Sequence, residues 1–218
     1  MSTGMIDQGM YDAVEVARLV GHSVEWVVGL SMDSTHGPAP VPPSFERMFS
    51  FLDLISLDFA ALLRGRGVSD RALRAGMKML RDATSERWPL ASKPIIDRLA
   101  TSGESFLGDL DGHGYVDIGM SGQGVIQEVV ALYLRGLEFN ESGRPSIMRP
   151  APLIKVDPLI QAGAPCIEGT RIPTAAIAEL LLDEDEEDVA LDFELTVEEV
   201  RAAAAFEDLL DSGVGIAA

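Results

Sequence analysis

The sequence predicts an α+β fold that is mostly α: an N-terminal helix-turn-helix domain, a small central β-sheet and a C-terminal trihelical, helix-turn-helix-like domain. Three observations carry this. Apolar residues recur at helical spacing, in several places behind Ser and Thr caps. Short extended pieces separated by glycine crowd the middle, from Gly103 to Arg149. From Ile154 to Phe206, a strand and tight turns punctuated by Gly and Pro lead into three helical segments, one of them intensely acidic. These changes of grammar place domain boundaries at residues 1–90, 91–152 and 153–218.

Composition narrows the function. The 218 residues are 47% hydrophobic, ample for a buried core, and carry a formal net charge of -18. The average surface therefore repels nucleic acid and anionic lipid, so any such contact needs a local basic patch. The single cysteine, Cys166, excludes an internal disulfide framework and fits a reducing cytosol. The first residues lack the basic and apolar regions of a secretory signal, and no apolar run reaches the roughly 18 residues of a spanning helix. A cytoplasmic protein is expected.

Taken in order, residues 1–10 read as frayed. A helix follows from about Asp12 to Val20, with Val14, Ala17, Leu19 and Val20 on its apolar face and Gly21 as its stop. Ser23 caps a second helix, Val24 to about Met32. Helix, glycine turn and capped helix form a helix-turn-helix pattern, whose second helix would read a DNA major groove. That helix offers Glu25, Trp26, Val27, Val28, Gly29 and Leu30 and no Arg or Lys, so a packed helical pair with Trp26 in a core or interface is the competing reading. Residues 33–44 form a loop in which His36 stands alone, without a partner at metal-ligand spacing.

An apolar helix is predicted from Phe45 to about Arg64. Gly65 and Gly67 end it, and Ser69 caps the next, Asp70 to about Asp82. Arg64, Arg66, Arg71, Arg74, Lys78 and Arg81 make this the one clear basic patch, and Arg71, Arg74, Lys78 and Arg81 recur at helical spacing on one face. The patch reads as a phosphate-contacting surface or as a solvated face serving the chain's own carboxylates. The candidate DNA-binding residues are thus Ser23, Glu25, Trp26, Arg64, Arg66, Arg71, Arg74 and Lys78.

A short helix spans 92–100. Extended pieces at 105–107 and 115–118 flank the hairpin signal Asp111-Gly112. Asp109, Asp111, His113 and Asp117 lie close together, but the interval lacks the terminal glutamate of an EF-hand, and we read the aspartates as turn residues. A helix from Gln123 to about Leu134 precedes strands at 136–139 and 146–149 joined by a turn at 140–143. The end of the chain then reads as a helix at 173–182, the acidic run Asp183 to Asp188 backed by Val189, Leu191 and Phe193, and a capping box from Thr196 to Glu199. That box opens a last helix, Val197 to about Asp211, burying Val200, Ala203, Ala204, Phe206 and Leu210. This last helix presents Glu198, Glu199, Glu207 and Asp208 against one Arg201, a face that rejects phosphate and suits a basic protein.

At these residues a family comes into view. Ile154-Lys155-Val156-Asp157-Pro158, Gly163-Ala164-Pro165, Glu168-Gly169-Thr170-Arg171-Ile172-Pro173 and Leu195-Thr196-Val197-Glu198-Glu199-Val200 resemble the VapB-type antitoxins, a widespread bacterial family. Tyr11 to Leu30, Phe49 to Leu54, Leu62 to Ser69 and Ser121-Gly122-Gln123 resemble the longer members that carry a MerR-like N-terminal helix-turn-helix. Together the two regions cover most of the chain. The resemblance implies an antitoxin of a type II toxin–antitoxin system. It would neutralise a PIN-like ribonuclease toxin, with acidic side chains standing where RNA phosphates would lie, and repress its own operon as a homodimer bound to operator DNA. The candidate partner-binding residues are Asp157, Glu168, Thr170, Arg171, Glu184, Glu187 and Glu198. Two features depart from the pattern: a recognition helix without arginine, and an acidic run in place of a short Gly-containing turn.

No nucleophile beside a base, phosphate loop or zinc spacing is visible, so neither catalysis nor a cofactor or metal is expected. Cys166, between Pro165 and Ile167, reads as a small hydrophobe. The alternative to a DNA-binding antitoxin is a scaffold that binds protein alone.

Overall fold

A computed structural model describes residues 9–102, 130, 131 and 133–216. The fold is α+β and mostly α. The expected pieces at 105–107 and 115–118, the Asp111-Gly112 hairpin, the Asp109–Asp117 cluster and most of the 123–134 helix lie outside the described residues.

The N-terminal part opens with a strand the sequence reading missed, β1 (Gly9–Tyr11), antiparallel to β2 (Phe49–Ser50). Helix α1 (Ala13–Val20) starts where Asp12 accepts bonds from the Val14 and Glu15 amides while the Glu15 carboxylate returns to the Asp12 amide at 2.8 Å. Gly21, at φ 66°, ends it in the left-handed conformation. Ser23 caps α2 (Val24–Ser31). Val14 does not join the apolar face but stands 62% exposed, because Val16, Ala17, Leu19 and Val20 fill the buried side.

Helix α3 (Phe51–Gly65) is the centre of the molecule. Every residue from Phe51 to Ala61 is buried, as its all-round apolar character predicts. It starts six residues later than expected. Phe45, 65% exposed, belongs to a tight turn closed on Met48, and the helix begins only where Ser50 and Asp53 form a reciprocal cap. Asp53 is itself fully buried. It accepts from the Ser44 and Ser50 amides at 2.9 Å each and from the Trp88 indole at 2.7 Å, so its charge is met by donors on every open side. Helix α4 (Asp70–Thr84), a 3-10 turn at 89–91 and helix α5 (Lys93–Ser102) pack around α3.

The second sheet is an antiparallel meander: β3 (Leu137–Phe139), β4 (Pro145–Ala151), β5 (Ile154–Val156) and β6 (Pro165–Ile167). Three helices follow: α6 (Thr174–Leu180), α7 (Glu186–Asp192) and α8 (Val197–Asp211). One apolar cluster runs from Tyr11 through α3 and the sheet to Ile216.

The C-terminal residues close on the first helix pair. The Ile216 amide donates to the Leu19 carbonyl at 2.8 Å. A Cβ at Gly215 would lie 2.4 Å from the Val20 carbonyl carbon, so backbone meets backbone there. We therefore expect Gly215→Ala to cost on the order of 2 kcal/mol. Gly29→Ala, in a helix where a Cβ meets nothing within 4 Å, should instead stabilise by about 0.5–1 kcal/mol. Urea unfolding of both variants checks the opposite signs.

Candidate functional site

The Glu168–Pro173 motif is a turn that fastens itself. The Ile167 amide donates to the Ile172 carbonyl at 3.0 Å, closing a hairpin-like loop after β6. Inside it the Thr170 hydroxyl donates to the Ile167 carbonyl at 2.9 Å and accepts from the Ile172 amide at 3.1 Å. Gly169 sits at φ 79° with open space around its missing Cβ, so conformation rather than room selects glycine. Glu168 meets Arg149 of β4 at 2.8 Å, and Asp157 meets Lys155 at 3.4 Å while accepting from the Leu159 amide. Asp157, Glu168 and Thr170 thus have intramolecular work. Arg171 is exposed and makes no side-chain hydrogen bond or ion pair among the described residues.

The acidic run has a local cause. Asp185 caps α7 by accepting from the Asp188 amide, and Glu186, Glu187 and Asp188 occupy the first turn, at the positive end of the helix dipole. Glu186 also meets Arg201 at 2.6 Å. The remaining carboxylates face solvent, including Glu184, Glu187 and Glu198. The expected Thr196–Glu199 box is present at the start of α8, and the bond from the Thr196 backbone holds the Glu199 carboxyl below its usual range. Val189, Val200, Ala203, Phe206 and Leu210 are buried as expected. Leu191 is not: it stands 78% exposed, and Leu182 81%. Ala204 is only half-buried.

The basic patch is split, which corrects the expectation of one shared face: Arg74 and Arg81 turn inward, while Arg64, Arg66, Arg71 and Lys78 are exposed. Arg74 is buried at 8% exposure and donates to the carbonyls of Gly29, Met32 (3.0 Å) and Pro38 (3.2 Å). It thereby satisfies the open carbonyl end of α2. Arg81 does the same for Ala39, Pro40 and Arg87. Lys78 pairs with Asp82, and Arg64 with Asp70. Of the strip, Arg66 and Arg71 are exposed without an ion pair among the described residues. On α2, Ser23 is consumed as the cap and Glu25 is exposed. Trp26 is half-buried: its indole donates to Asp70 at 3.1 Å, its ring lies 4.2 Å from His22, and Arg64 sits over it. Val28 of α2 and Met32 at its end are exposed.

One polar junction joins the two ends of the chain. Glu207, expected on the surface, is 4% exposed. It accepts from Arg18 of α1 at 2.6 Å and from the Thr174 hydroxyl of α6. Arg18 also reaches Asp211 at 2.7 Å. Beside it the buried Tyr11 hydroxyl donates to the Gly163 carbonyl at 3.0 Å, and burial pushes that phenol well above its ordinary pKa. The signal for Glu207 was available: it shares a helical stripe with Val200, Ala203 and Leu210. A cleft of about 220 Å³ opens at this junction, but Arg18, Thr174 and Glu207 in its lining already bond one another. No three metal-ligating side chains converge among the described residues. Burial raises the pKa of the Cys166 thiol, which makes it a poor nucleophile. No helix among the described residues is long and apolar enough to cross a membrane.

Residues 154–206 match DUF433, a family of proteins of unknown function. The match takes in β5, β6, the motif turn, α6, α7 and most of α8. No curated protein matches the chain. The fold is similar to that of a crystal structure of Rv2018 from Mycobacterium tuberculosis, with a TM-score of 0.68 and 20% identity over 91% of this chain and 98% of that one.

Two outcomes follow from this geometry. Glu207→Ala leaves Arg18 only Asp211 and Thr174 only the Pro165 carbonyl at 3.3 Å, and should cost about 2 kcal/mol, whereas Asp211→Ala, at a 69% exposed side chain, should cost at most about 1 kcal/mol; urea unfolding separates them. The second concerns Asp70. Burial would raise its pKa, but bonds from Arg64 and Trp26 and the Arg64 charge outweigh that and hold it low. Its contribution is full above the ordinary carboxylate value of about 4 and is lost as pH falls through the lower folded value. Asp70→Asn should flatten that acid limb in unfolding followed by tryptophan fluorescence from pH 7 to 2.

Proposed function

We propose that this chain is an antitoxin of the VapB type, which silences a PIN-like ribonuclease by occupying its basic RNA-binding channel with the C-terminal module. The observation that carries this is charge segregation. Residues 172–200 contain eleven carboxylates and no Lys or Arg, and most of them face solvent. Such a surface repels phosphate and attracts a protein built to hold phosphate. The match of residues 154–206 to one family supports the module as the recurring unit, and the Gly-Thr-Arg-Ile-Pro resemblance supplies the antitoxin reading. The protein would be cytoplasmic and act by binding, with no chemistry of its own.

Repression of its own operon rests on the MerR-like helix pair, paired as a homodimer to match two half-sites. A second reading, a protein-binding scaffold that leaves DNA alone, is favoured by the inward Arg74 and Arg81 and by an α2 surface of Glu25, Val28 and Met32.

Two measurements decide. Tagged chain expressed in its native host should retain a small nuclease encoded beside it and abolish that nuclease's RNA cleavage; recovery without a nuclease would end the antitoxin reading. A gel shift on the chain's own promoter tests repression. With Arg66 and Arg71 as the available cations of the strip, the salt slope should reflect about two phosphate contacts per protomer. No shift at low salt selects the scaffold.

A further inference from the structure

Beside the acidic run, α6 and the turn after it form an open groove of about 400 Å³ lined by Ala176, Glu179, Leu180, Asp183 and Glu184. Two of these side chains are apolar and three are carboxylates. Leu182, 81% exposed, lies in the same turn. Leu191, 78% exposed, lies in the last turn of α7. There Glu187 and Asp188 are its neighbours at i−4 and i−3, so an apolar side chain again shares a face with carboxylates. Single exposed leucines are ordinary on protein surfaces. Two of them, one in the groove's own turn and one on the next helix, in a 29-residue stretch without a cation are a pattern.

We propose that this corner is the docking face for a basic amphipathic helix of a partner protein. Its leucines or similar residues would lie along Ala176, Leu180 and Leu182, and its lysines or arginines would meet Glu179, Asp183, Glu184 and Glu187. Charge excludes the other occupants. Nucleic acid and anionic lipid meet like charge here, and a second copy would set eleven carboxylates against eleven. A cationic helix with an apolar face satisfies both components, in the helix-in-groove mode. The inference rests on the antitoxin reading for the partner's identity but not for its chemistry. It moves the contact away from Asp157, Glu168 and Thr170, whose side chains hold the motif turn and its sheet.

The test uses the full chain and three fluorescein-labelled synthetic peptides: Leu/Lys in helical spacing, Ser/Lys with the same charge, and Leu/Glu. Anisotropy should show the Leu/Lys peptide binding at least tenfold tighter than Ser/Lys, with no Leu/Glu binding. Leu182→Ser/Leu191→Ser and Glu179→Gln/Asp183→Asn/Glu184→Gln should each weaken Leu/Lys binding about tenfold. These side chains lie at the surface, so thermal unfolding should stay near that of the unsubstituted chain. Equal binding of Leu/Lys and Ser/Lys would reduce the surface to unspecific charge attraction and overturn the proposal. Undiminished binding by the double leucine variant would do the same, as would binding of a labelled RNA oligomer, or a change in sedimentation of that variant that marks the corner as a self-contact. The two readings fail separately. Peptide binding without a nuclease from the host removes the antitoxin and keeps the corner. A recovered nuclease that binds Leu182→Ser/Leu191→Ser unchanged removes the corner and keeps the antitoxin.

Discussion

A carboxylate that has lost its water must be met by donors, and Glu207 is met by two from opposite ends of the chain. Arg18 comes from the first helix and Thr174 from the residue that follows the Gly-Thr-Arg-Ile-Pro turn. The geometry of α1, α6 and α8 is therefore set by one acceptor. Helix α6 starts at Pro173, which offers no side-chain cap; Thr174, beside it, is pinned through its hydroxyl instead. Tyr11 repeats the arrangement a short way off, since its hydroxyl reaches the carbonyl of Gly163, where an added Cβ would collide with that hydroxyl. The helix pair and the motif-bearing module thus share polar contacts as well as apolar area.

Two arginines of the basic patch turn inward, while the acidic run stays at the surface. Arg74 and Arg81 hold the 33–44 loop and the end of α2 by their carbonyls. Guanidinium suits this role, since one planar group can donate to several oxygens and remains charged when partly buried. Arg64 and Lys78 are balanced by Asp70 and Asp82. What faces solvent beyond Arg171 is anionic until Arg201. Helix starts absorb part of the self-repulsion, because acids in the first turns of α7 and α8 face partial positive charge.

Much of the fold was legible because capping is local. Asp12, Ser23, Ser69 and Thr196 mark helix starts by rules that act within four residues, and each start was placed within a residue or so. Phe45 was misplaced because apolar periodicity carried the helix past its cap at Ser50, and the cap, not the hydrophobicity, decides where a helix begins. Strand β1 was missed since a three-residue strand has too few positions to show a period. The candidate surfaces were harder for a different reason. A basic residue at helical spacing announces its face but not what covers that face, and Arg74 is covered by a loop lying more than thirty residues upstream. Glu207 shows the converse: its stripe was apolar, yet its charge argued for the surface, and its two partners were remote in sequence.

The backbone contact between Gly215 and Val20 has a consequence for how the molecule is made. The turn between α1 and α2 is synthesised about 190 residues before the residues that cover it. Closing a loop of that length costs on the order of 5 kcal/mol in chain entropy, and no local interaction repays it early. Until then the Val20–Gly21 backbone lacks the cover that the residues after α8 supply. The α1–α2 turn is thus made well before its packing is complete.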